Sequence, residues 1–303
     1  IIDDLYAVDV PSHEDDRPLP RILLVTALYP LQKSKHSKEE YAEWLKMFLG
    51  QVTTDIYFFV PPELEEVVRE ARPEHLHMTL NTTFASPFDI PPLRGKEEQY
   101  IALHEIDRER KKHAPDLYAV WNAKPYFLDE GLTNAGRDVY DYAFWNDAGS
   151  FRGAHNYTLW PDPQRVRDVW QAHEDRILFP IYTFPSWWSA GSWTEDKGPL
   201  DAEFSEGSFF GGPPDVVSWW QRVFYAYHDY YLAAGMFVGK DQTLINSLFL
   251  LFPQRIMVVW LHDDGVPHAG HRLMPLYRCG ADWFYYQFWL ASDAARAAMI
   301  ETW

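Results

Sequence analysis

Tyr142-Ala143-Phe144-Trp145-Asn146-Asp147-Ala148-Gly149 decides how this chain is read. Tyr142 to Trp145 form a short apolar run, typical of a strand buried on both faces in a parallel sheet. The run stops abruptly in an acid and a glycine. That places Asp147 at the carboxyl edge of a sheet, where open α/β sheets bind their ligands. A carboxylate at such an edge can hold a hard divalent cation, which in turn clamps a diphosphate. The same residues also read as an aspartate capping the next turn, with Gly149 at positive φ. Pattern alone leaves both readings open.

The flanking sequence alternates short apolar runs with amphipathic ones. Strands are expected at 21–28, 55–60, 75–80, 118–122, 142–145, 176–182 and 255–260. Helices are expected at 37–50, where Ser37 is a cap candidate, and at 63–72, 97–113, 163–173, 214–235 and 239–252. Residues 129–138 and the C-terminal tail read as irregular, and 185–199 as a Trp- and Gly-rich loop. This alternation predicts an α/β fold, a mostly parallel central sheet flanked by helices. Residues 1–20 carry six acidic side chains without periodicity and are read as an extended stem or arm, with one domain over 21–303.

Composition narrows the function. Of 303 residues 47% are apolar and 23% charged, which supports a full core and excludes global disorder. The formal net charge of −17 argues against nucleic-acid binding, which needs clustered Lys and Arg to displace counterions. The 14 Trp, 18 Tyr and 19 Phe are a surplus that suits stacking clefts, although most must be core. No apolar run reaches the roughly 18 residues of a membrane span, so any membrane attachment is expected only through a segment outside this chain. The one cysteine, Cys279, excludes disulfides and zinc-thiolate sites within the chain. The sequons at Asn81 and Asn156 lean toward the secretory lumen, with the Golgi favoured, while the cysteine count is equally met in the cytoplasm. Ala27-Leu28-Tyr29-Pro30 follows the first strand in place of a GxGxxG, and no Walker-type lysine loop occurs. Dehydrogenases and P-loop kinases are thereby set aside.

Three further clusters could carry chemistry. In Glu206-Gly207-Ser208-Phe209-Phe210-Gly211-Gly212, glycines allow close approach to a ligand and the rings offer a stacking wall, with Glu206 placed to bind or deprotonate a hydroxyl. The alternative is a glycine-rich turn with buried rings. In Gly239-Lys240-Asp241-Gln242-Thr243-Leu244-Ile245-Asn246, Asp241, Gln242 and Asn246 can face one cleft, or Asp241 can be only a helix cap. His262, Asp263, Asp264, His268 and His271 follow the last strand and could complete a metal site or form an ordinary surface loop.

The order of these elements resembles a nucleotide-sugar-dependent glycosyltransferase of the GT-A type. Trp145-Asn146-Asp147-Ala148-Gly149, Glu206 to Gly212 and Lys240-Asp241-Gln242 are similar to the W-x-D-A-G, E-G-S-F-F-G-G and K-D-Q motifs of the HtrL/YibB family. Phe209 to Gly212 and Asp241 to Asn246 are also similar to short motifs of retaining galactosyl- and glucosyltransferases. The resemblance implies a GT-A-like domain that moves a sugar from a nucleotide-sugar donor, UDP-sugars favoured, to a hydroxyl on a glycan, lipid-linked or small-molecule acceptor. It implies Asp147 as holder of Mn²⁺ or Mg²⁺ and the diphosphate. Gly149 stands where a second carboxylate would be, so completion by His262 or His268, or replacement of the metal by cations such as Lys240 or Arg272, stays open. Thr26, Ala27, Tyr29 and Asn146 would border the nucleotide, with Tyr29 a candidate stacker. Asp241 and Gln242 would lie at the sugar, and Glu206, Phe209, Phe210, Gly211, Gly212, Trp187 and Trp188 on the acceptor side. Retention of configuration is expected; an inverting enzyme would instead need one general base, for which Asp241 or Glu206 would serve, and the sequence leaves both open. The competing readings are a non-catalytic carbohydrate binder on the same fold and a glycoside hydrolase.

Overall fold

The structure, a computed structural model, describes residues 18–34, 36–185, 190–263 and 284–302. Its strands are β1 (Ile22–Ala27), β2 (Asp55–Phe59), β3 (Met78–Asn81), β4 (Tyr142–Asn146), β5 (Ile177–Ile181), β6 (Phe209–Gly212) and β7 (Ile256–Trp260). They form a seven-stranded sheet in the order β3-β2-β1-β4-β6-β5-β7. All neighbouring pairs run parallel except those of β6, which is antiparallel to both β4 and β5. The fold is therefore α/β with a mostly parallel sheet.

Strand alternation feeds two cores, one on each face. Leu23 and Val25 of β1 point into one core and Ile22 and Leu24 into the other. The first core is covered by α3 (Glu97–Ile106), α4 (Pro115–Ala135), α6 (Pro214–Ala233) and α7 (Asp241–Leu251). The second is covered by α1 (Lys38–Gln51), α2 (Glu65–Glu70), α5 (Pro163–Trp170) and the C-terminal α8 (Tyr286–Trp289) and α9 (Asp293–Thr302). Ser37 opens α1 with a reciprocal capping box to Glu40. No helix among the described residues is long and apolar enough to cross a membrane.

Several sequence expectations are corrected. Residues 118–122, read as a strand, lie inside α4, which also takes in most of the stretch 129–138 read as irregular. The reason is periodic: Tyr118, Ala119, Asn122, Ala123, Phe127, Leu128 and Leu132 are buried at helical spacing, and Pro115 sits in the first turn where its missing N–H costs nothing. Gly136, at φ 107, ends the helix. The helix expected over 97–113 stops at Ile106, and that over 63–72 divides into a 3₁₀ turn and α2. The C-terminal tail is helical in α8 and α9. Phe209 to Gly212 form a central strand and not a ligand loop.

Sheet order positions the site. From β1 the chain moves to β2 and β3 on one side, then returns to place β4 on the other. The order reverses between β1 and β4, so their carboxyl ends form the topological switch point, the usual ligand position in open α/β sheets.

Candidate active site

Asp147 follows β4 directly, and its backbone N–H extends the ladder to Ser208 O at 2.9 Å. Ser150 N–H donates to Asp147 O at 3.0 Å and closes the turn. Asn146 is fully buried and fixes that turn through its amide, which donates to Ser150 Oγ at 2.9 Å. Gly149 is absent from the glycines at positive φ, so close packing against Tyr41 and Trp44 explains it better than turn geometry.

The centre of the site is a residue that sequence reading missed. Lys124, on the buried side of α4, places Nζ 3.1 Å from Asp147 Oδ1, 3.3 Å from Asp241 Oδ2 and 2.8 Å from Gly207 O. Its side chain is 6% exposed, against 7% for Asp241 and 35% for Asp147. Asp147 thus forms the open lip of an otherwise buried cluster. Burial disfavours the ammonium, but Asp147 and Asp241 outweigh it and hold Lys124 above the ordinary lysine range. Burial raises the Asp241 carboxyl, and Lys124 opposes that shift. At these separations each ion pair amounts to about 5 kcal/mol at an effective dielectric near 20, much of it offset by desolvation.

Neighbouring backbone completes the cluster. Asp241 is the first residue of α7, and its side chain caps no helix N–H beyond accepting from Gln242 N at 2.9 Å. A Cβ on Gly207 would lie 2.5 Å from Asp241 Oδ2, so glycine is what lets this carboxylate reach Lys124. Trp145 Nε1 donates to Asp147 Oδ1 at 2.7 Å. At the rim, the Arg152 guanidinium lies 4.4 Å over the Trp44 ring and bonds Gly149 O at 3.0 Å through Nε. Asp147 is close enough to act on Arg152 electrostatically.

The other predicted residues take varied places. Thr26 is fully buried at the end of β1, and Ala27 beside it is half-buried. Tyr29 is 6% exposed, stacked on Phe127 at 5.7 Å and bonded to Phe84 O, so it is a core ring and not a free stacking platform. Gln242 donates to Ser205 O at 2.6 Å. Lys240 pairs with Glu203 at 3.0 Å, outside the Lys124 cluster. Glu206 is fully buried and lies toward Tyr285 and Tyr286, with Ser208 Oγ 3.4 Å from its Oε2. Burial raises its carboxyl well above the usual range, and full burial keeps it out of a substrate's reach. Phe209 packs on Phe144 and Tyr286, and Phe210 on Phe179 and Trp220; the buried-ring alternative describes these residues. Gly211 and Gly212 lie in the same strand. Trp187, Trp188, His268, Arg272 and most of residues 1–20 lie outside the described residues.

The divalent ion that the resemblance implies does not fit this donor set as folded. A bridging ion would have to stand where Lys124 Nζ stands. His262, exposed just beyond β7, is three strand spacings from β4, about 14 Å, too far to share an ion with Asp147. Among the described residues no three His, Cys, Asp or Glu side chains converge as a metal-ligand group. A groove of about 750 Å³ lies at the opposite, amino edge of the sheet, bounded by Arg21, Asp141, Arg167, Glu174 and Asp215. None of the predicted site residues lines it, so the carboxyl-edge cluster remains the better candidate.

The only lysine in the charge-free stretch 117–128 was a signal for Lys124. Reading 118–122 as a strand left it in a loop. The chain matches no protein-family model. No curated protein matches it either.

Proposed function

We propose that this protein is a GT-A-like glycosyltransferase that moves a sugar, with retention, from a nucleotide sugar, UDP-sugars first, to a hydroxyl acceptor. One observation carries the reading: the buried Asp147–Lys124–Asp241 cluster stands at the carboxyl ends of β1 and β4, where the strand order reverses. A switch point of this kind suits a nucleotide diphosphate, and the cluster supplies both signs of charge that sugar transfer needs. Lys124, with Arg152 at the rim, takes the negative charge that grows on the leaving diphosphate. Asp241 and Gln242, at the start of α7, lie on the sugar side and stabilise the positive charge of an oxocarbenium-like centre. Asp147, half open to solvent, orients the two cations and the donor. Lys124 and Asp241 are preorganised by burial, so little reorganisation of these two accompanies the chemical step.

The test is a panel of nucleotides and nucleotide sugars, with Mn²⁺ and with EDTA, on wild type, Asp147→Asn and Asp241→Asn. A ligand held at about 100 times its dissociation constant adds roughly 2.7 kcal/mol of stability and a clear rise in Tm. Wild type is expected to show such a rise and slow release of free sugar, with the α-configured or β-configured product read by NMR. Asp241→Asn is expected to keep the Tm rise and lose release by about 100-fold or more. Absence of any nucleotide-dependent shift overturns the proposal.

A further inference from the structure

We infer that Lys124 is the resident counter-cation of Asp147 and Asp241, and that it holds the position a divalent ion would take between these two carboxylates. The inference rests on the transferase reading only in naming a diphosphate as the anion served; the exclusion of the ion stands on the geometry of the cluster.

Five observations support it. Lys124 Nζ is within 3.1 Å of one carboxylate and 3.3 Å of the other, so an ion at the roughly 2.0–2.2 Å needed by carboxylate oxygens cannot share the space. The ammonium donates to Gly207 O at 2.8 Å and to Asp147, and lies 3.3 Å from Asp241 Oδ2, a buried oxygen that accepts no hydrogen bond among the described residues. The remaining lone pairs are partly used, by Trp145 Nε1 on Asp147 and by the backbone N–H of Gln242 on Asp241. Gly207 lets Asp241 approach, and its own carbonyl faces the ammonium, so one loop serves both partners. Position 149, two residues beyond Asp147, is glycine, so the turn offers a single carboxylate.

The consequence is chemical. A lysine carries one charge and donates hydrogen bonds, whereas a divalent ion carries two and requires displaced water. The site would therefore need no metal in the assay to balance its carboxylates, and removal of the lysine would expose a vacant pair of carboxylates with affinity for the ion.

Electron paramagnetic resonance of Mn²⁺ reads this directly, on the full chain, with and without UDP. Relative to protein-free samples of the same composition, wild type is expected to leave the free-ion signal unchanged in both cases, and without UDP its Tm is expected to be unmoved by Mn²⁺. Lys124→Met is expected to take up one Mn²⁺ per chain and to gain Tm when Mn²⁺ is added. The added substitution Asp147→Asn is expected to abolish that uptake. One Mn²⁺ bound by wild type and lost in Asp147→Asn overturns the inference. So does a Lys124→Met chain with native circular dichroism that binds none. If Lys124→Met does not fold, the wild-type titration alone decides. Failure of the transferase reading appears differently, as the lack of any nucleotide effect.

Discussion

At the residue scale, single polar side chains hold the loops that frame the site. Asn246, fully buried in α7, donates to Ala202 O at 2.6 Å and Leu200 O at 3.3 Å, and accepts from Ser205 Oγ at 2.6 Å. One amide thus pins the segment from 200 to 205 that leads into Glu206 and Gly207. Asn246→Ala leaves those groups buried and unpaired, at a cost of about 1–3 kcal/mol. Chemical denaturation should show this loss. Because Gly207 places Asp241 and accepts from Lys124, nucleotide affinity is expected to weaken with it. Unchanged stability would mean that water replaces the amide. The sequence singled out Asn246 as a ligand-facing amide; the structure gives it to the loop, where it holds two main-chain carbonyls and the Ser205 hydroxyl, distant partners that residue spacing does not report.

At the scale of elements, β6 joins the fold to the site. Its antiparallel register pairs Asn146 with Phe209 and Phe144 with Gly211, so it fixes the end of β4 from which Asp147 projects. A Cβ on Gly211 would stand 2.2 Å from Ala143 O and 2.7 Å from Phe144 Cα, both main-chain atoms that cannot yield locally. Gly211→Ala is therefore expected to part β4 from β6 and to destabilise by about 3 kcal/mol or more. Ser37→Ala is the contrasting change: it removes the α1 capping box, costs about 1 kcal/mol and leaves nucleotide binding intact. Tm and nucleotide affinity measured together separate the two. Equal effects on binding would detach β6 from the site. The glycines of this strand drew notice in the sequence as a ligand approach, and their actual neighbour is the adjacent backbone.

At the scale of the molecule, Glu206 contributes a distinct pH signature to stability. Glu206 is fully buried in the second core beside Tyr285 and Tyr286, and burial raises its carboxyl well above the 4.5 of an exposed glutamate. The folded state keeps the proton that the unfolded state releases above that value. Its contribution is therefore fully present below pH 4.5 and is lost as pH rises toward the raised folded value. Glu206→Gln removes this dependence. Its stability relative to wild type is expected to grow by about 1.4 kcal/mol per pH unit above the unfolded pKa. Urea melts across this range test it; parallel curves for the two proteins would mean that Glu206 is ionised in the fold.

What the sequence determined by itself was local and periodic. Apolar runs at 21–28, 55–60, 142–145, 176–182 and 255–260 read as buried strands because two-sided burial leaves no polar alternation, and the mostly parallel α/β class followed from their separation by amphipathic helices. The acid at the end of β4 was legible for the same reason, since a strand that stops in Asp-Ala-Gly marks a sheet edge. Helix α4 was not, because Tyr118-Ala119-Val120-Trp121 satisfies both strand propensity and helical burial, and only packing against β1 and α6 selects between them. The antiparallel insertion of β6 between β4 and β5, and the burial of Phe209 to Gly212, also came from tertiary structure alone. So did the meeting of Lys124, Asp147 and Asp241, which lie 23 and 94 positions apart along the chain. Charge pairing between distant elements depends on sheet order and helix placement, and neither is encoded in the spacing of the residues that meet.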